Sequence, residues 1–281
     1  MLLKRWLTAL VLIPLLILIL LKGTPIAFTL LVLIISLASM AEYFKVTSSL
    51  SSDDISSSYE CPQKYNPSVE MKLIAYALSV AIIGAAHKGS LEMLLCLLTL
   101  NVMAMSLLTV FKFKSETSIL DCTASEIQGI IYIPFFLSFL ILIRNSPSGA
   151  HFVVWLWIVI GLSDTGAYYV GSHFGKNPLA KHVSPKKTVE GALGGLGAAA
   201  VGGLIYSLIF IDNVSFPMAV LFSIVTAAFG QLGDLFESAL KRSGGIKDSG
   251  SLLPGHGGVL DRVDGVIFAA PVAYLFKIFI L

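Results

Sequence analysis

Charge is scarce in this chain of 281 residues: Asp, Glu, Lys and Arg make up 13% of it, against 56% apolar residues. A soluble domain carries about a quarter charged residues. With a mean hydropathy of +0.86, the chain has more apolar surface than a water-soluble fold of this length could bury. A soluble globular protein is excluded. Cysteine is scarce too. Cys61, Cys96 and Cys122 have neither metal-ligand nor redox spacing, and an odd number builds no disulfide framework. There is no basic stripe interleaved with aromatics, and the net charge is only +2, so nucleic acid is not expected as a partner. The alternating ten-residue segments of a membrane barrel are missing, and so is a Walker-type phosphate loop. Leu21-Lys22-Gly23-Thr24-Pro25 offers no small-residue cleavage site, so the first apolar run reads as a retained helix rather than a signal peptide.

What the chain does have is one apolar run after another, each near the roughly 20 residues needed to cross a bilayer. Nine are marked off, at residues 6–21, 25–41, 71–86, 91–110, 127–143, 152–170, 191–211, 216–235 and 263–281. Lipid offers the backbone no hydrogen-bond partner, so each run is expected to be a helix. The expected fold class is all-α, a polytopic integral membrane protein with about nine transmembrane helices.

The cations test that count. Lys4, Arg5, Lys45, Lys64, Lys72, Lys112, Lys114, Lys176, Lys181, Lys186, Lys187, Lys241, Arg242, Lys247 and Arg262 fall on one side, while only Lys22, Lys88, Arg144 and Lys277 fall opposite. By the positive-inside rule the first side is cytoplasmic. The chain further divides by texture. Residues 1–160 are hydrophobic helices with a polar loop near 45–70, whose Ser-rich part, 47–58, contains Asp53 and Asp54 and reads as a solvated loop. These helices carry almost no polar residue with an evident job. Residues 161–281 carry the glycine, charge and hydroxyl clusters and are expected to be the catalytic part.

The densest cluster lies in residues 238–264, where Lys241, Arg242, Lys247 and Arg262 accompany Asp248, Asp261 and Asp264. Charge beside membrane helices is costly and is usually retained for ions, substrates or chemistry. If the eighth helix continues to about Arg242, then Asp234, Glu237, Ser238 and Lys241 share one face, and Asp261 and Asp264 share a face of the last helix. Asp234, Asp261 and Asp264 together suit a hard divalent cation such as magnesium, which takes one or two carboxylates plus phosphates and water. The four cations suit phosphate oxygens. The turn Pro254-Gly-His256-Gly-Gly258 offers backbone amides to an anion. Three plainer readings compete: a positive-inside loop, an ordinary reverse turn and interhelical ion pairing.

A second cluster precedes it: Ser163-Asp164-Thr-Gly-Ala-Tyr168-Tyr169, then Ser184-Pro-Lys186-Lys187-Thr188-Val-Glu190-Gly191. Hydroxyls and ammonium groups just ahead of a helix N-terminus can hold a triphosphate. Their plainer reading is a capped helix start, with Thr188 or Ser184 as cap, and for Asp164 a satisfied intramembrane hydrogen bond. The glycines from 191 to 203 are expected to let helices pack closely rather than to bind nucleotide.

At these residues the resemblance is to the CDP-diacylglycerol synthases, or phosphatidate cytidylyltransferases. The run Ser238-x-x-Lys-Arg-x4-Lys-Asp-x5-Pro-Gly-His-Gly-Gly-x-x-Asp-Arg-x-Asp264, with Asp164-Thr-x-Ala-Tyr168 and Ser184-Pro-Lys-Lys-Thr-x-Glu190-Gly, looks like that family's recurring elements. The resemblance implies transfer of the cytidylyl group of CTP to phosphatidic acid, giving CDP-diacylglycerol and pyrophosphate, with Mg²⁺ and one or two cations in all. The catalytic residues implied are Asp234, Lys241, Arg242, Lys247, Asp248, Asp261, Arg262 and Asp264, with Asp234, Asp261 and Asp264 on the metal. Asp164, Ser184, Lys186, Lys187, Thr188, Glu190, Ser238 and His256 would bind substrate. The partners implied are CTP, phosphatidic acid and the lipid bilayer, with a homodimer left open, and the setting is a bacterial inner membrane with the site facing the cytoplasm. Two rivals are an ion-coupled transporter, which lacks support because no inverted repeat is visible, and a CTP-dependent lipid-alcohol kinase, which would release CDP instead of pyrophosphate.

Overall fold

The protein is described by a computed structural model, covering residues 18–48, 67–113, 119–250 and 257–281. Nine helices lie in these residues: α1 (Pro25–Ser48), α2 (Val69–His87), α3 (Leu91–Lys112), α4 (Ile119–Ile130), α5 (Phe136–Asn145), α6 (Gly149–Phe174), α7 (Val189–Phe210), α8 (Phe216–Ser243) and α9 (Leu260–Phe279). A π-helical turn, Ile131–Phe135, joins α4 to α5 into one span, and it accommodates Pro134, which has no N–H for a regular ladder. Seven spans among the described residues are long and apolar enough to cross a membrane. The last helix falls outside that set because Asp261, Arg262, Asp264 and Lys277 interrupt its apolar run. Most of the first expected span lies outside the described residues, where only 18–22 are seen, as helix. Of the polar loop expected near 45–70, residues 45–48 belong to α1 and residues 49–66, with Cys61, lie outside the described residues, as does His256. The expected all-helical membrane fold holds, with seven candidate spans among the described residues against an expected count of about nine.

Helix starts follow local chemistry. Ser68 accepts from the Met71 amide at 3.4 Å, Ser90 from Met93 at 3.1 Å and Thr188 from Gly191 at 3.1 Å, so each satisfies an amide that the helix leaves unpaired. Pro217 sits in the first turn of α8, where no amide hydrogen is needed.

The ends of the helices sort into two groups that match the charge asymmetry. At one end Arg144 donates to the Gly23 carbonyl at 3.1 Å, Asn145 to the His87 carbonyl at 3.2 Å and Lys277 to the Pro147 carbonyl at 2.6 Å. At the other end, Arg242 at the C-terminus of α8 reaches the Val183 carbonyl at 3.4 Å, and the side chain of Glu42 meets the start of α9. The sparse and the rich cation groups therefore occupy opposite ends of one bundle.

Small residues bring α6 and α7 together. A Cβ on Gly191 would lie 2.8 Å from the Ala167 carbonyl oxygen, and one on Gly195 2.6 Å from the Ser163 carbonyl oxygen. The expected role of these glycines in close packing is what the structure displays. Among the described residues, the two-stranded sheet is an antiparallel hairpin between α6 and α7. Its strands are β1 (Pro178–Ala180) and β2 (Ser184–Thr188), with Pro178 opposite Thr188 and Ala180 opposite Ser184. Ser184–Thr188 is thus a strand that feeds into a capped helix, not itself a helix start.

Candidate active site

The hairpin borders a cavity of about 420 Å³. Asp164, Tyr168 and Ser172 of α6, Ser184, Lys186, Lys187 and Thr188 of β2, and Gln231 and Asp234 of α8 are in its wall. Lys187 is ion-paired with Asp234. Thr188 lines the cavity and caps α7 as well, so the plainer reading and the ligand-binding one coexist at that residue. Six residues singled out in the sequence, Asp164, Ser184, Lys186, Lys187, Thr188 and Asp234, surround a single space.

Asp264 stands on α9, which packs against the stretch of α8 that carries Asp234. The helices meet closely here, since a Cβ on Gly233 would lie 2.5 Å from the Asp264 carbonyl oxygen. Asp164 and Asp234 are the two carboxylates in the cavity wall, and Lys187 is the cation paired to Asp234.

Asp261 does something else. Its Oδ1 accepts from Lys241 Nζ at 2.8 Å, and its Oδ2 accepts from the amides of Gly258 at 2.9 Å and Ser249 at 3.3 Å. Lys241 is also ion-paired with Glu237, one turn back on α8. The expected trio of Asp234, Asp261 and Asp264 is therefore not assembled around one point. Among the described residues no group of three or more His, Cys, Asp and Glu side chains is arranged to hold a metal. The reason is electrostatic: Lys241 and the loop amides already satisfy the Asp261 carboxylate, while Asp234 lines the cavity with Asp164.

Glu190 does not line the cavity. Its carboxylate accepts from the amides of Lys176 at 3.0 Å and Asn177 at 3.2 Å and from Asn177 Nδ2 at 2.7 Å, clamping the chain where it leaves α6 for the hairpin. Arg242 is tied to the hairpin turn through the Val183 carbonyl. Ser238 is half-buried on α8, while Lys247, Asp248 and Arg262 are exposed beside the cluster.

The sequence profile of the cytidylyltransferase family matches residues 3–279. The chain belongs to this family. A phosphatidate cytidylyltransferase of Staphylococcus saprophyticus subsp. saprophyticus is 41% identical to it over 160 residues, 57% of this chain and 60% of that protein. The corresponding protein of Bacillus subtilis is 40% identical over 169 residues, 60% of this chain and 63% of the relative. That of Thermotoga maritima is 37% identical over 174 residues, 59% and 63% of the two chains. The matched stretch covers about six tenths of each of these relatives.

Within this member of the cytidylyltransferase family, two residues near the site, Gln231 and Glu42, are not expected from the sequence, whereas Tyr168 belongs to the motif that begins at Asp164. Gln231 donates from Nε2 to Ser163 Oγ at 2.9 Å and to the Ala192 carbonyl at 3.1 Å, pinning α8 to α6 and α7 beneath the cavity. Its place three residues before Asp234 was the available signal. Tyr168 brings an exposed ring to the cavity wall. Glu42 comes from α1, in the part of the chain where almost no polar residue had an evident job. That reading is corrected: the carboxylate is buried at 5% exposure against the loop that carries Ser249 and Gly258.

Proposed function

We propose that this integral membrane protein transfers the cytidylyl group of CTP to phosphatidic acid, yielding CDP-diacylglycerol and pyrophosphate. The observation that carries the reading is the cavity itself, where the lysines and hydroxyls of β2 face the carboxylates of α6 and α8 at the end of an apolar helix bundle. A polar chamber of that kind suits a polyphosphate, and the surrounding helices keep acyl chains in the bilayer. The names of the bacterial relatives support the same chemistry.

A phosphomonoester is largely dianionic near neutral pH, its second pKa being about 6, so the attacking oxygen needs no dedicated base. That oxygen forms a bond to the α-phosphorus of CTP in line as the bond from that phosphorus to the leaving pyrophosphate breaks. Positioning and charge neutralisation dominate. Ser184, Lys186, Lys187 and Thr188 hold the triphosphate, Lys187 exchanging Asp234 for phosphate oxygen as the nucleotide enters. Asp234 and Asp264, with Asp164 nearby, would hold Mg²⁺, which when bound supplies neutralising charge to phosphate oxygens. Lys241 and Arg242 at the end of α8, with Lys247 in the loop that follows, contribute positive potential on the side of the leaving group. The cation-rich end of the bundle faces the cytoplasm of a bacterial cell, in its inner membrane.

Detergent-purified protein incubated with phosphatidic acid, Mg²⁺ and CTP labelled at either the α or the γ phosphate tests this directly. Label from the α phosphate is expected in lipid, with pyrophosphate released. Label from the γ phosphate in lipid would mean a kinase, and label in neither would remove the proposal.

A further inference from the structure

The last helix begins without a cap of its own. Val259 holds the N-cap position of α9 and makes no side-chain hydrogen bond to the helix, as an apolar side chain must. The missing acceptor arrives from a distant part of the chain. Glu42 Oε1 accepts from the Val259 amide at 3.0 Å, and its Oε2 accepts from the Leu260 amide at 2.8 Å and from Ser249 Oγ at 3.0 Å. A carboxylate at a helix N-terminus also meets the favourable end of the helix dipole.

Ser249 connects this cap to the charged cluster. Its hydroxyl donates to Glu42 while its amide donates to Asp261, and Asp261 in turn holds Lys241. Gly258 completes the joint, donating its amide to Asp261 at 2.9 Å. There is no room for a side chain at either flanking glycine: a Cβ at Gly258 would strike Ser249 Oγ and the Glu42 carboxylate, and one at Gly250 would strike the same carboxylate. Two carboxylates from opposite ends of the chain therefore grip one loop, and both grips close on Ser249, which is fully buried.

We infer that Glu42 is a positioning residue for the reaction, fixing Ser249 and residues 257–261 so that Asp261 and Lys241 stand in register with Asp264 and the cavity. This rests on the cytidylyl-transfer reading above. Displacing reacting groups by about 1 Å can cost about 10²-fold in rate even when the change lies far from the chemistry.

The test compares Glu42→Ala, Glu42→Gln, Ser249→Ala and the Glu42→Ala/Ser249→Ala double variant in purified protein. The wild type must first move α-label from CTP into lipid. If it does not, the cytidylyl-transfer reading fails, and hydrogen exchange still decides whether Glu42 holds the loop. For Glu42→Ala the expected result is a loss of about 10²-fold in kcat with the KM values for CTP and phosphatidic acid little changed. Glu42→Gln, which keeps one accepting oxygen, should retain more activity. The double variant should be no worse than Glu42→Ala alone, because both remove the same joint. Amide exchange should quicken at residues 257–261 and stay unchanged in α6 and α7. Wild-type kcat in Glu42→Ala, losses that add in the double variant, a rise in KM alone, or unchanged exchange at 257–261 would each overturn the inference. So would a kcat loss that merely tracks the unfolded fraction.

Discussion

Two lysine–carboxylate contacts on α8 use the same groups in different solvents. Lys187 and Asp234 keep 29% and 37% of their side-chain surface exposed at the cavity. Lys241 keeps 15%, Glu237 1% and Asp261 13% in the knot one to two turns further along. An exposed pair contributes roughly 0–1 kcal/mol and opens readily. A buried one cannot open without stranding a charge. The first pair is thus suited to exchanging its partner for a ligand, and the second to holding a shape.

The strongest way to break this contrast is Lys241→Met. It leaves Glu237 and Asp261 buried without their cation and should cost about 3–5 kcal/mol, seen as a lower unfolding temperature in detergent. An unchanged midpoint would make the two contacts equivalent. Next in size, Asp234→Asn should reduce kcat by about 10²–10³-fold with a smaller loss of thermal stability than Lys241→Met, because the pair it breaks is only half-buried. A stability loss as large as that of Lys241→Met would move Asp234 to the structural side. Lys187→Ala sharpens the contrast further: KM for CTP should rise by about tenfold, the order of 1.4 kcal/mol of lost phosphate contact. In the parent the KM for CTP should climb with salt, as expected for a screened contact. The smallest effect is expected from Glu190→Gln, which loosens the clamp on Lys176 and Asn177. Limited proteolysis between residues 175 and 183 should quicken, with only a few-fold change in KM for CTP.

Much of the cavity was legible in the chain because its residues stand close together. Ser184, Lys186, Lys187 and Thr188 are consecutive or nearly so, and Asp164 and Asp234 are charges within apolar runs, where the bilayer makes charge conspicuous. The hairpin was not legible, since Ser184–Thr188 has no apolar alternation, and the strand arises from pairing with Pro178–Ala180. Gln231 was missed because a neutral amide draws little notice in an apolar helix. Glu42 was missed for a different reason: its partners Val259 and Leu260 lie more than 200 residues away, and no local pattern connects them.

By itself the sequence determined the solvent, the helical class and which residues could serve chemistry, because hydropathy and the expense of intramembrane charge act residue by residue. Only the tertiary structure decided how those charges divide. Asp164 and Asp234 came to one space, with Asp264 on the helix packed against α8 at Gly233. Asp261 was drawn instead to Lys241 and the loop amides, since pairing depends on distances between segments that no spacing along the chain encodes.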